Sequence, residues 1–367
     1  MKIDKNFWKN KKVLITGHTG FKGGWLSVFM KSLGAKVYGI SLNPKGNENF
    51  FSSVNLKDKI NEDIRVNIYD FFRFKYFFFK ISPEIVFHLA AQSSVIESFK
   101  NSSETFMSNI VGTCNLMELL KSNCKTKCAV IVTTDKVYQN YGKKKYFNEK
   151  SELGGDDVYS ASKACCEIMV KSYKKSFFNK KNICKIATVR AGNCFGGGDW
   201  TENRIVKDAI ESFNDNKTLI IRKPSATRPW QHVLEPLYGY ILLAQGLCSK
   251  QKTKFEGAWN FGPSNRQNLK VIDLVKKIKN FYNCSSKIII NKKFYKRKIK
   301  IFESQHLNLN SSKIFKILGW KPILSIHKSI SYTIDWHKSY NLKKDMFKFT
   351  NQQIKNYLEL INQNVGS

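Results

Sequence analysis

A tyrosine and a lysine four positions apart have the spacing in this chain that most directly suggests chemistry. Tyr159 and Lys163 belong to the run Tyr-Ser-Ala-Ser-Lys, which opens a predicted helix. Residues four apart lie on one face of a helix, so the ammonium of Lys163 would lower the pKa of the Tyr159 phenol. A tyrosinate that is available near neutral pH can remove a hydroxyl proton as a general base. A surface pair without a catalytic role is the alternative interpretation.

Three polar residues follow an apolar run that lies upstream of this helix. Residues 129–132 predict a central strand, and Thr134, Asp135 and Lys136 come after it. Polar groups at the carboxyl end of a parallel strand lie where ligands bind in open α/β sheets. A hydroxyl, a carboxyl and an amine there could supply a hydrogen-bond donor, an acid and a base. Taken alone, the three residues could equally form a capping turn.

The start of the chain predicts the framework that would hold these groups. Residues 13–42 read as an apolar strand, a turn with Gly17, Gly20 and Gly23, an amphipathic helix and a second apolar strand. A turn this tight needs positive φ and a backbone that can approach a pyrophosphate closely, and glycine permits both. The N–H groups and the positive dipole end of the helix then face the anion. The pattern predicts the first half of a dinucleotide-binding fold.

Two further apolar segments extend the predicted sheet. One contains the dipeptide Asp63-Ile64, and the other ends in the small-residue run Leu89-Ala90-Ala91. Small side chains after a strand allow a cofactor to approach the backbone. The second strand ends without the acidic residue that binds a ribose 2′-hydroxyl in many such folds. The residues alone therefore leave NAD and NADP as alternatives.

The composition is that of a globular protein with an extreme positive charge. The chain has 367 residues, of which 42% are hydrophobic and 13% aromatic, enough for one composite domain or two. The net charge of +34 favours either nucleic-acid or membrane-surface binding or a compositional bias towards lysine. The basic residues are scattered and match no nucleic-acid-binding module. We therefore expect neither nucleic acid nor a membrane as a partner.

The cysteines and the N-terminal segment predict the cellular compartment. The nine cysteines show no Cys-x-x-Cys and no spacing typical of a zinc site, so we expect reduced thiols and no metal. Residues 1–12 lack the apolar core of a signal peptide. The Phe-rich stretch 71–79 contains charged residues, so it is not expected to span a membrane. These features predict a cytoplasmic protein.

Two longer segments carry a family resemblance. They are Arg-Ala-Gly-Asn-Cys-Phe-Gly-Gly-Gly-Asp-Trp at 190–200 and Thr-Arg-Pro-Trp-Gln-His-Val-Leu-Glu-Pro-Leu at 227–237. Together with the glycine turn and the Thr-Asp-Lys and Tyr–Lys groups, they resemble the nucleotide-sugar 4,6-dehydratases of the extended short-chain dehydrogenase/reductase family. The resemblance covers residues 11–340 and is narrowest to the branch that acts on CDP-glucose, which has lysine at position 136 where other branches have glutamate. Residues 93–96 are Ser-Ser-Val-Ile instead of that branch's usual Pro-Leu-Val-Arg, so the sugar and the nucleotide stay open.

The resemblance implies a role for each candidate residue. NAD is the expected cofactor, with contacts from Gly17, Thr19, Gly20, Phe21, Lys22, Gly23, Asp63, Ile64, Leu89, Ala90, Ala91, Tyr159 and Lys163. The expected catalytic residues are Thr134, Asp135, Lys136, Tyr159 and Lys163, and the expected substrate contacts are Gln92, Asn193, Arg204, Arg228, Trp230 and His232. Arg228 is assigned to the pyrophosphate because a guanidinium fork matches phosphate oxygens. A structural ion pair with Glu235 or another acid is the alternative.

The implied reaction is a closed redox cycle on the sugar. Tyr159 removes the proton of the C4 hydroxyl while the C4 hydride passes to NAD, and Thr134 hydrogen-bonds the same oxygen. The resulting ketone acidifies the C5 hydrogen, for which Lys136 is the candidate base, and water leaves from C6 with Asp135 as the acid. The hydride then returns to C6. A 4-epimerase, a 4-keto reductase or a dehydratase for dTDP-glucose or GDP-mannose would use much of the same site, and a non-catalytic nucleic-acid-binding protein is a remote alternative.

The implied fold is α/β, a Rossmann-like doubly wound parallel sheet with a smaller, mostly helical C-terminal substrate-binding domain. We expect an NAD-binding domain at 1–192 with a return segment around 229–263, and a substrate domain at 193–228 and 264–345. A polar C-terminal tail is expected at 346–367, with a weakly amphipathic helix at 354–361. Relatives of this kind suggest a homodimer or homotetramer.

Overall fold

The computed structural model describes residues 1–142, 145–178, 184–263, 268–282, 284–290 and 306–365. Its strands are β1 Lys12–Thr16, β2 Lys36–Ser41, β3 Glu62–Arg65, β4 Ile85–His88, β5 Cys128–Val132, β6 Tyr146–Phe147, β7 Lys185–Ala191, β8 Cys194–Phe195, β9 Leu219–Ile221, β10 Thr227–Pro229, β11 Gln231–His232, β12 Gly257–Phe261, β13 Asn268–Lys270, β14 Ile288–Ile290 and β15 Asn308–Leu309. Its α-helices are α1 Lys5–Trp8, α2 Phe21–Ser32, α3 Phe50–Ser53, α4 Phe71–Ile81, α5 Val95–Lys100, α6 Ser102–Phe106, α7 Gly112–Ser122, α8 Val158–Phe177, α9 Ile205–Asn214, α10 Leu234–Leu247, α11 Val271–Asn280, α12 Ser312–Leu318, α13 Ile326–Asn341 and α14 Met346–Val365.

Seven parallel strands form the central sheet, in the order β12-β7-β5-β4-β1-β2-β3. The chain enters in the middle at β1, winds outward to β3, and then returns to β4 on the other side of β1. The carboxyl ends of β1 and β4 therefore border the crevice where the winding direction reverses, which is the usual ligand site of such sheets. The expected Rossmann-like doubly wound sheet is confirmed.

Helices cover both faces of the sheet because the central strands are apolar on both sides. In β5, Val130 and Val132 face one hydrophobic cluster, whereas Ala129 and Ile131 face the other. The first cluster includes side chains of α2, α10 and α14, and the second includes those of α4, α7 and α8. Burial on both faces explains why these strands read as continuous apolar runs.

A third hydrophobic cluster lies in the part of the chain that follows β7. It joins α9 and α11 to β9, with Val206, Ile210, Leu274 and Ile278 among its buried members. Two small sheets flank it, the antiparallel pair β10–β13 and the parallel pair β9–β14. Helix α13 contributes side chains both to this cluster and to the core beside the central sheet. This second lobe is therefore packed against the first.

Two helical segments have features that the local sequence pattern does not indicate. A π-helical turn, Met107–Val111, joins α6 to α7 and contains the buried Asn109. The C-terminal segment, expected to be a polar tail with a short helix at 354–361, forms the longer α14. Its residues Ile354, Tyr357 and Ile361 are buried in the core beside α2. That packing partner is remote in sequence, so the local pattern could not indicate it.

Two features are absent from the described part of the chain. None of its helices combines the length and the apolar character that a membrane span requires. No group of three or more histidine, cysteine, aspartate or glutamate side chains among these residues could hold a metal ion. All nine cysteines are free thiols.

Candidate active site

The glycine turn between β1 and α2 is shaped by close backbone contacts. Gly17 has φ +77°, and a Cβ there would lie 2.7 Å from the backbone nitrogen of Ala90, just after the neighbouring strand β4. A Cβ at Gly23 would overlap the carbonyl oxygen of Gly17. At Gly20 the nearest atom would be 3.4 Å away, so that glycine faces a more open space. The turn is thus closed on the protein side and open on the side of the crevice.

This turn fits the pyrophosphate of a dinucleotide. Gly20 is the N-cap of α2 and has no side chain to occupy the helix end, so the N–H groups of Phe21 and Lys22 in the first turn point towards the crevice. The Thr19 hydroxyl lies 3.0 Å from the carbonyl oxygen of Leu42 and 2.7 Å from the Ser41 hydroxyl, which ties the turn to the end of β2. Leu89, Ala90 and Ala91 are partly exposed on the opposite wall.

Asp63 and Ile64, which the family resemblance assigns to NAD, lie within β3. Asp63 binds Nε2 of His18 at 2.6 Å, and Nη2 of Arg65 donates to its other oxygen at 2.8 Å. Burial would raise the pKa of Asp63, but the His18 hydrogen bond and the two nearby charges hold it below its usual value. Ile64 is buried. His18 lies inside the glycine turn and was not among the predicted site residues. Its place between Gly17 and Gly20 in the run Thr-Gly-His-Thr-Gly is the signal that could have identified it.

The Thr134-Asp135-Lys136 segment forms a 3-10 turn at the end of β5. Thr134 is its N-cap, and its hydroxyl lies 3.1 Å from Oδ1 of Asp135. Oδ2 of Asp135 is buried and has no hydrogen-bond partner among the described residues. Burial raises the pKa of Asp135, against the opposing charges of Lys136, Lys22 and Arg228. Asp135 is therefore a weaker acid than an exposed aspartate, and one of its carboxyl oxygens has no hydrogen-bond partner within the described part of the chain.

Helix α8 places the tyrosine and the lysine beside that turn. Asp157 caps the helix by accepting from the backbone of Ser160 at 2.9 Å. Burial raises the pKa of Tyr159 to about 12, although a hydrogen bond with Thr134 and the charge of Arg204 oppose the rise. The expectation that Lys163 lowers the pKa of Tyr159 is wrong for this arrangement, because burial dominates. The Lys163 ammonium donates to the carbonyl oxygen of Val132 at 3.1 Å, and burial lowers its own pKa.

Two of the predicted substrate residues lie close to these groups. Arg204 acts electrostatically on Tyr159, and Arg228 acts on Asp135. Arg228 is buried, and its Nη1 donates to the carbonyl oxygen of Thr227 at 2.9 Å. Arg228 does not form the alternative ion pair with Glu235. The Glu235 carboxylate instead accepts hydrogen bonds from the backbone N–H groups of residues 323 and 324 and from the Tyr357 hydroxyl.

The other four predicted substrate residues are held by internal contacts. The Gln92 amide nitrogen donates to the Ser94 carbonyl at 2.9 Å. Asn193 is partly buried, and its carbonyl oxygen accepts from the backbone N–H of Gln231 in β11 at 3.1 Å. The Trp230 indole donates to a backbone carbonyl at 3.0 Å and lies in the hydrophobic cluster of the second lobe. His232 is fully buried among aromatic rings, which lowers its pKa to about 3. Burial of Trp230 and His232 leaves little of either ring for a substrate.

The structure also gives Lys22 a second role. Besides its backbone position in the glycine turn, its side chain acts electrostatically on Asp135 and Lys163 and hydrogen-bonds Cys194. Lys22 therefore lies between the turn and the Thr-Asp-Lys segment. The sequence predicts Lys22 as a cofactor contact next to Phe21. It does not indicate that the Lys22 side chain also lies near Asp135 and Lys163.

The sheet order, the glycine turn and the Tyr–Lys pair on the following helix together define an α/β nucleotide-dependent enzyme of the short-chain dehydrogenase/reductase class. The chain belongs to the GDP-mannose 4,6-dehydratase family, whose model matches residues 14–333. This confirms the family that the sequence motifs predicted.

Individual relatives agree with that assignment. The chain is 38% identical over 360 residues to a CDP-glucose 4,6-dehydratase of Salmonella typhimurium, covering 97% of this chain and 98% of that protein. It is 28% identical to a dTDP-D-glucose 4,6-dehydratase of Dictyostelium discoideum, with 90% and 82% coverage. Among solved structures, a dTDP-glucose 4,6-dehydratase of Bacillus anthracis in complex with NAD matches with a TM-score of 0.73 at 19% identity, covering 89% and 96%. The last comparison concerns the fold alone.

Proposed function

We propose that this protein is an NAD-dependent 4,6-dehydratase that converts CDP-glucose to CDP-4-keto-6-deoxyglucose. The observation that carries the proposal is the buried Oδ2 of Asp135, which has no hydrogen-bond partner among the described residues, beside Thr134 and the Tyr159 phenol whose pKa Thr134 lowers. A protonated carboxyl group there can donate to a leaving hydroxyl, which an epimerase does not require. The 38% identity to a CDP-glucose 4,6-dehydratase over nearly the whole chain supports the choice of substrate.

The glycine turn and the ends of β3 and β4 are the residues that would hold the cofactor. The first turn of α2 would bind the pyrophosphate, Asp63 and Ile64 the adenine, and Leu89 to Ala91 the opposite face. Bound NAD supplies an acceptor for the C4 hydride and returns that hydride at the end of the cycle. Tyr159 and Lys163 lie on α8, so we place the reacting end of the cofactor beside that helix.

Oxidation at C4 requires removal of the hydroxyl proton. Thr134 lies close enough to Tyr159 to lower the pKa of its phenol, so we assign the sugar C4 hydroxyl to a position in which it contacts both oxygens. The Tyr159 pKa of about 12 means that the phenol acts as a base only when nearby positive charge stabilises the tyrosinate. Arg204 already supplies part of that charge, and Lys163 can supply more by exchanging the Val132 carbonyl for the phenolate.

Elimination of water needs an acid at C6 and a base at C5. We assign the acid role to Asp135, because burial raises the pKa of its carboxyl group and its Oδ2 has no hydrogen-bond partner among the described residues. Lys136 is adjacent on the same turn and partly exposed, and we assign it the C5 proton. That step uses the neutral amine, as any lysine base must.

The nucleotide end of the substrate is assigned to the second lobe. Arg204 begins α9 and Arg228 lies in β10, so both guanidinium groups belong to the segment that follows the central strands. Both act electrostatically on the catalytic residues. A guanidinium fork that lies beside the reacting sugar is suited to the diphosphate that joins the sugar to its nucleoside.

The proposed assembly is a homodimer through α6, α7 and α8. These neighbouring helices expose a group of apolar side chains, Phe106, Met107 and Ile168, and the interhelical surface also contains partly exposed Ile110 and Met169. Exposed apolar patches on a folded protein mark interaction sites. A cytoplasmic location is proposed from the nine free thiols.

The direct test is to incubate the purified protein with CDP-glucose and measure the alkaline absorbance of a 4-keto product. We expect product with CDP-glucose, and NAD in the supernatant after heat denaturation of the protein. UDP-glucose, dTDP-glucose and GDP-mannose serve as the comparison substrates. If only another nucleotide sugar gives product, the substrate assignment changes. Conversion of CDP-glucose to its C4 epimer would contradict the dehydratase proposal, and so would the absence of any reaction with all four sugars.

A further inference from the structure

A buried ion pair lies directly behind the proposed catalytic residues. Glu167 is on α8, one helical turn after Lys163, and Arg190 is on β7. The guanidinium binds the carboxylate through two bonds, Nε to Oε1 at 2.8 Å and Nη2 to Oε2 at 2.7 Å. Both side chains are 3% exposed. None of the proposed steps of the reaction uses either residue.

Two threonine hydroxyls complete the binding of this carboxylate. Thr133 donates to Oε1 at 2.6 Å and Thr188 to Oε2 at 2.7 Å. Burial would raise the pKa of Glu167, but the hydrogen bonds and charge of Arg190 outweigh it and hold the pKa below its usual value. The carboxylate is therefore ionised and fully bonded. Thr133 is the residue immediately before Thr134, so this bond fixes the start of the catalytic turn to α8.

The arginine fixes the other end of the same turn. Nη1 of Arg190 donates to the hydroxyl of Tyr138 at 2.8 Å, and that hydroxyl donates to Oδ1 of Asn260 on β12 at 2.6 Å. The guanidinium also lies 5.0 Å from the centre of the tyrosine ring. Because Tyr138 is the residue immediately after the 3-10 turn 135–137, the catalytic turn is tied at both ends to one ion pair.

We propose that the Glu167–Arg190 pair is a positioning device for the reaction, an inference that rests on the proposed dehydratase function. The pair fixes the distance between two groups of residues that come from different elements. One is the turn Thr134–Lys136 after β5, and the other is the Tyr159–Lys163 face of α8. Hydrophobic packing alone would let a helix shift along the sheet by part of an ångström, whereas four directional bonds to a buried carboxylate do not.

The reaction requires these side chains to be placed to within part of an ångström. The sugar C4 oxygen must contact Thr134 and Tyr159 at the same time, and the C6 hydroxyl must reach Asp135 in the same bound pose. A misplacement of about 1 Å can cost about 100-fold in rate. The competing explanation is that the pair only stabilises the fold, as breaking any buried ion pair is destabilising. The two explanations differ in whether folded variants lose turnover.

The test compares three variants in the CDP-glucose assay. Glu167→Gln keeps the size of the side chain but removes the charge that binds Arg190, and Thr133→Val removes one hydroxyl at nearly constant volume. We expect kcat to fall about 100-fold in Glu167→Gln and about 10-fold in Thr133→Val, with KM changed less than about threefold because the diphosphate contacts remain. In a single turnover, the formation of reduced nicotinamide should slow to the same extent as product formation. Both steps depend on the same turn, because Thr134 acts in C4 oxidation and Asp135 and Lys136 act in the elimination.

Glu235→Gln is the matched control. Its carboxylate is also buried and bonded by three protein donors, but these tie α10 to α14 and the 323–324 backbone. We expect it to keep the wild-type kcat whatever its effect on thermal unfolding.

The proposal is overturned if folded Glu167→Gln and Thr133→Val both keep kcat within about threefold of wild type, or if Glu235→Gln loses as much. Should Glu167→Gln fail to fold, Thr133→Val decides alone. A wild-type protein without dehydratase activity would overturn the proposed function and, with it, this role.

Discussion

Burial sets the proton states of the two residues that would exchange protons with the sugar. It raises the pKa of Tyr159 to about 12 and also raises the pKa of Asp135, in each case in favour of the protonated group. For Asp135 this is the state that an acid needs, and its free Oδ2 is the oxygen from which a proton can leave. For Tyr159 it is the opposite of what a base needs. The phenol must therefore gain positive charge nearby before it can act, and that requirement couples the first step to the binding of cofactor and substrate.

Asp135→Asn separates the acid from the rest of the site. An asparagine keeps the size and the hydrogen bond to Thr134 but cannot donate a proton to a leaving hydroxyl. We expect C4 oxidation to continue, seen as the absorbance of reduced nicotinamide, while dehydrated product forms about 100- to 1000-fold more slowly. The measurement is rapid mixing with CDP-glucose. Unchanged product formation would remove Asp135 from the acid role.

Lys136→Met tests whether this lysine is a base or a binding group. Methionine keeps the unbranched stem without the amine. A base predicts a loss of about 100-fold or more in kcat at nearly constant KM, together with loss of hydrogen exchange between C5 and heavy water. If KM rises while kcat stays at the wild-type value, Lys136 only binds the substrate.

At the scale of elements, the glycine turn is the part that the sequence predicts most completely. The strand before Gly17 and the helix after Gly20 could be located because glycine has a physical reason to stand at each position. The identity of residues that contact across elements could not be predicted in the same way. His18 binds Asp63 from a different strand, and Glu167 reaches Arg190, so their roles depend on distances that only the folded sheet creates.

The glycines make a paired prediction. Gly20→Ala adds a methyl group whose nearest protein atom is 3.4 Å away, so we expect normal thermal stability but about 10-fold or more weaker NAD binding, because the methyl occupies the pyrophosphate side. Gly23→Ala places a methyl group against the Gly17 carbonyl and should lower the melting temperature. Calorimetric titration with NAD and thermal unfolding measure the two effects. Equal NAD affinity in Gly20→Ala and wild type would contradict this view of the turn.

At the scale of the molecule, a buried carboxyl group makes stability depend on pH. Burial raises the pKa of Glu235 to about 7 from the usual 4.5. The protonated form is favoured in the fold, so its contribution is present below pH 4.5 and is lost as the pH rises through 7. Between pH 5.5 and 8 this one group should cost about 2 kcal/mol of unfolding free energy.

Glu235→Gln isolates that contribution. The difference in unfolding free energy between the variant and wild type should shift by about 2 kcal/mol in favour of the variant from pH 5.5 to pH 8. Urea unfolding at the two pH values measures it. A difference that stays constant with pH would mean that Glu235 titrates normally in the folded protein.

The whole molecule also shows where sequence patterns stop being informative. The doubly wound sheet and the family follow from strands and motifs that are contiguous in the chain. The substrate residues were harder, since Trp230 and His232 stand in a motif yet are buried in different hydrophobic surroundings. The Tyr159 pKa was misjudged for the same reason, because spacing on a helix shows which residues are neighbours but not how much water surrounds them.

The central claim is that the hydride taken from C4 returns to C6 of the same sugar in one active site. CDP-glucose labelled with deuterium at C4 tests it directly, with the purified protein and no added cofactor. The account predicts a 4-keto-6-deoxy product whose deuterium is at C6, at close to one atom per molecule. Product without deuterium at C6, or deuterium released to water, would contradict it.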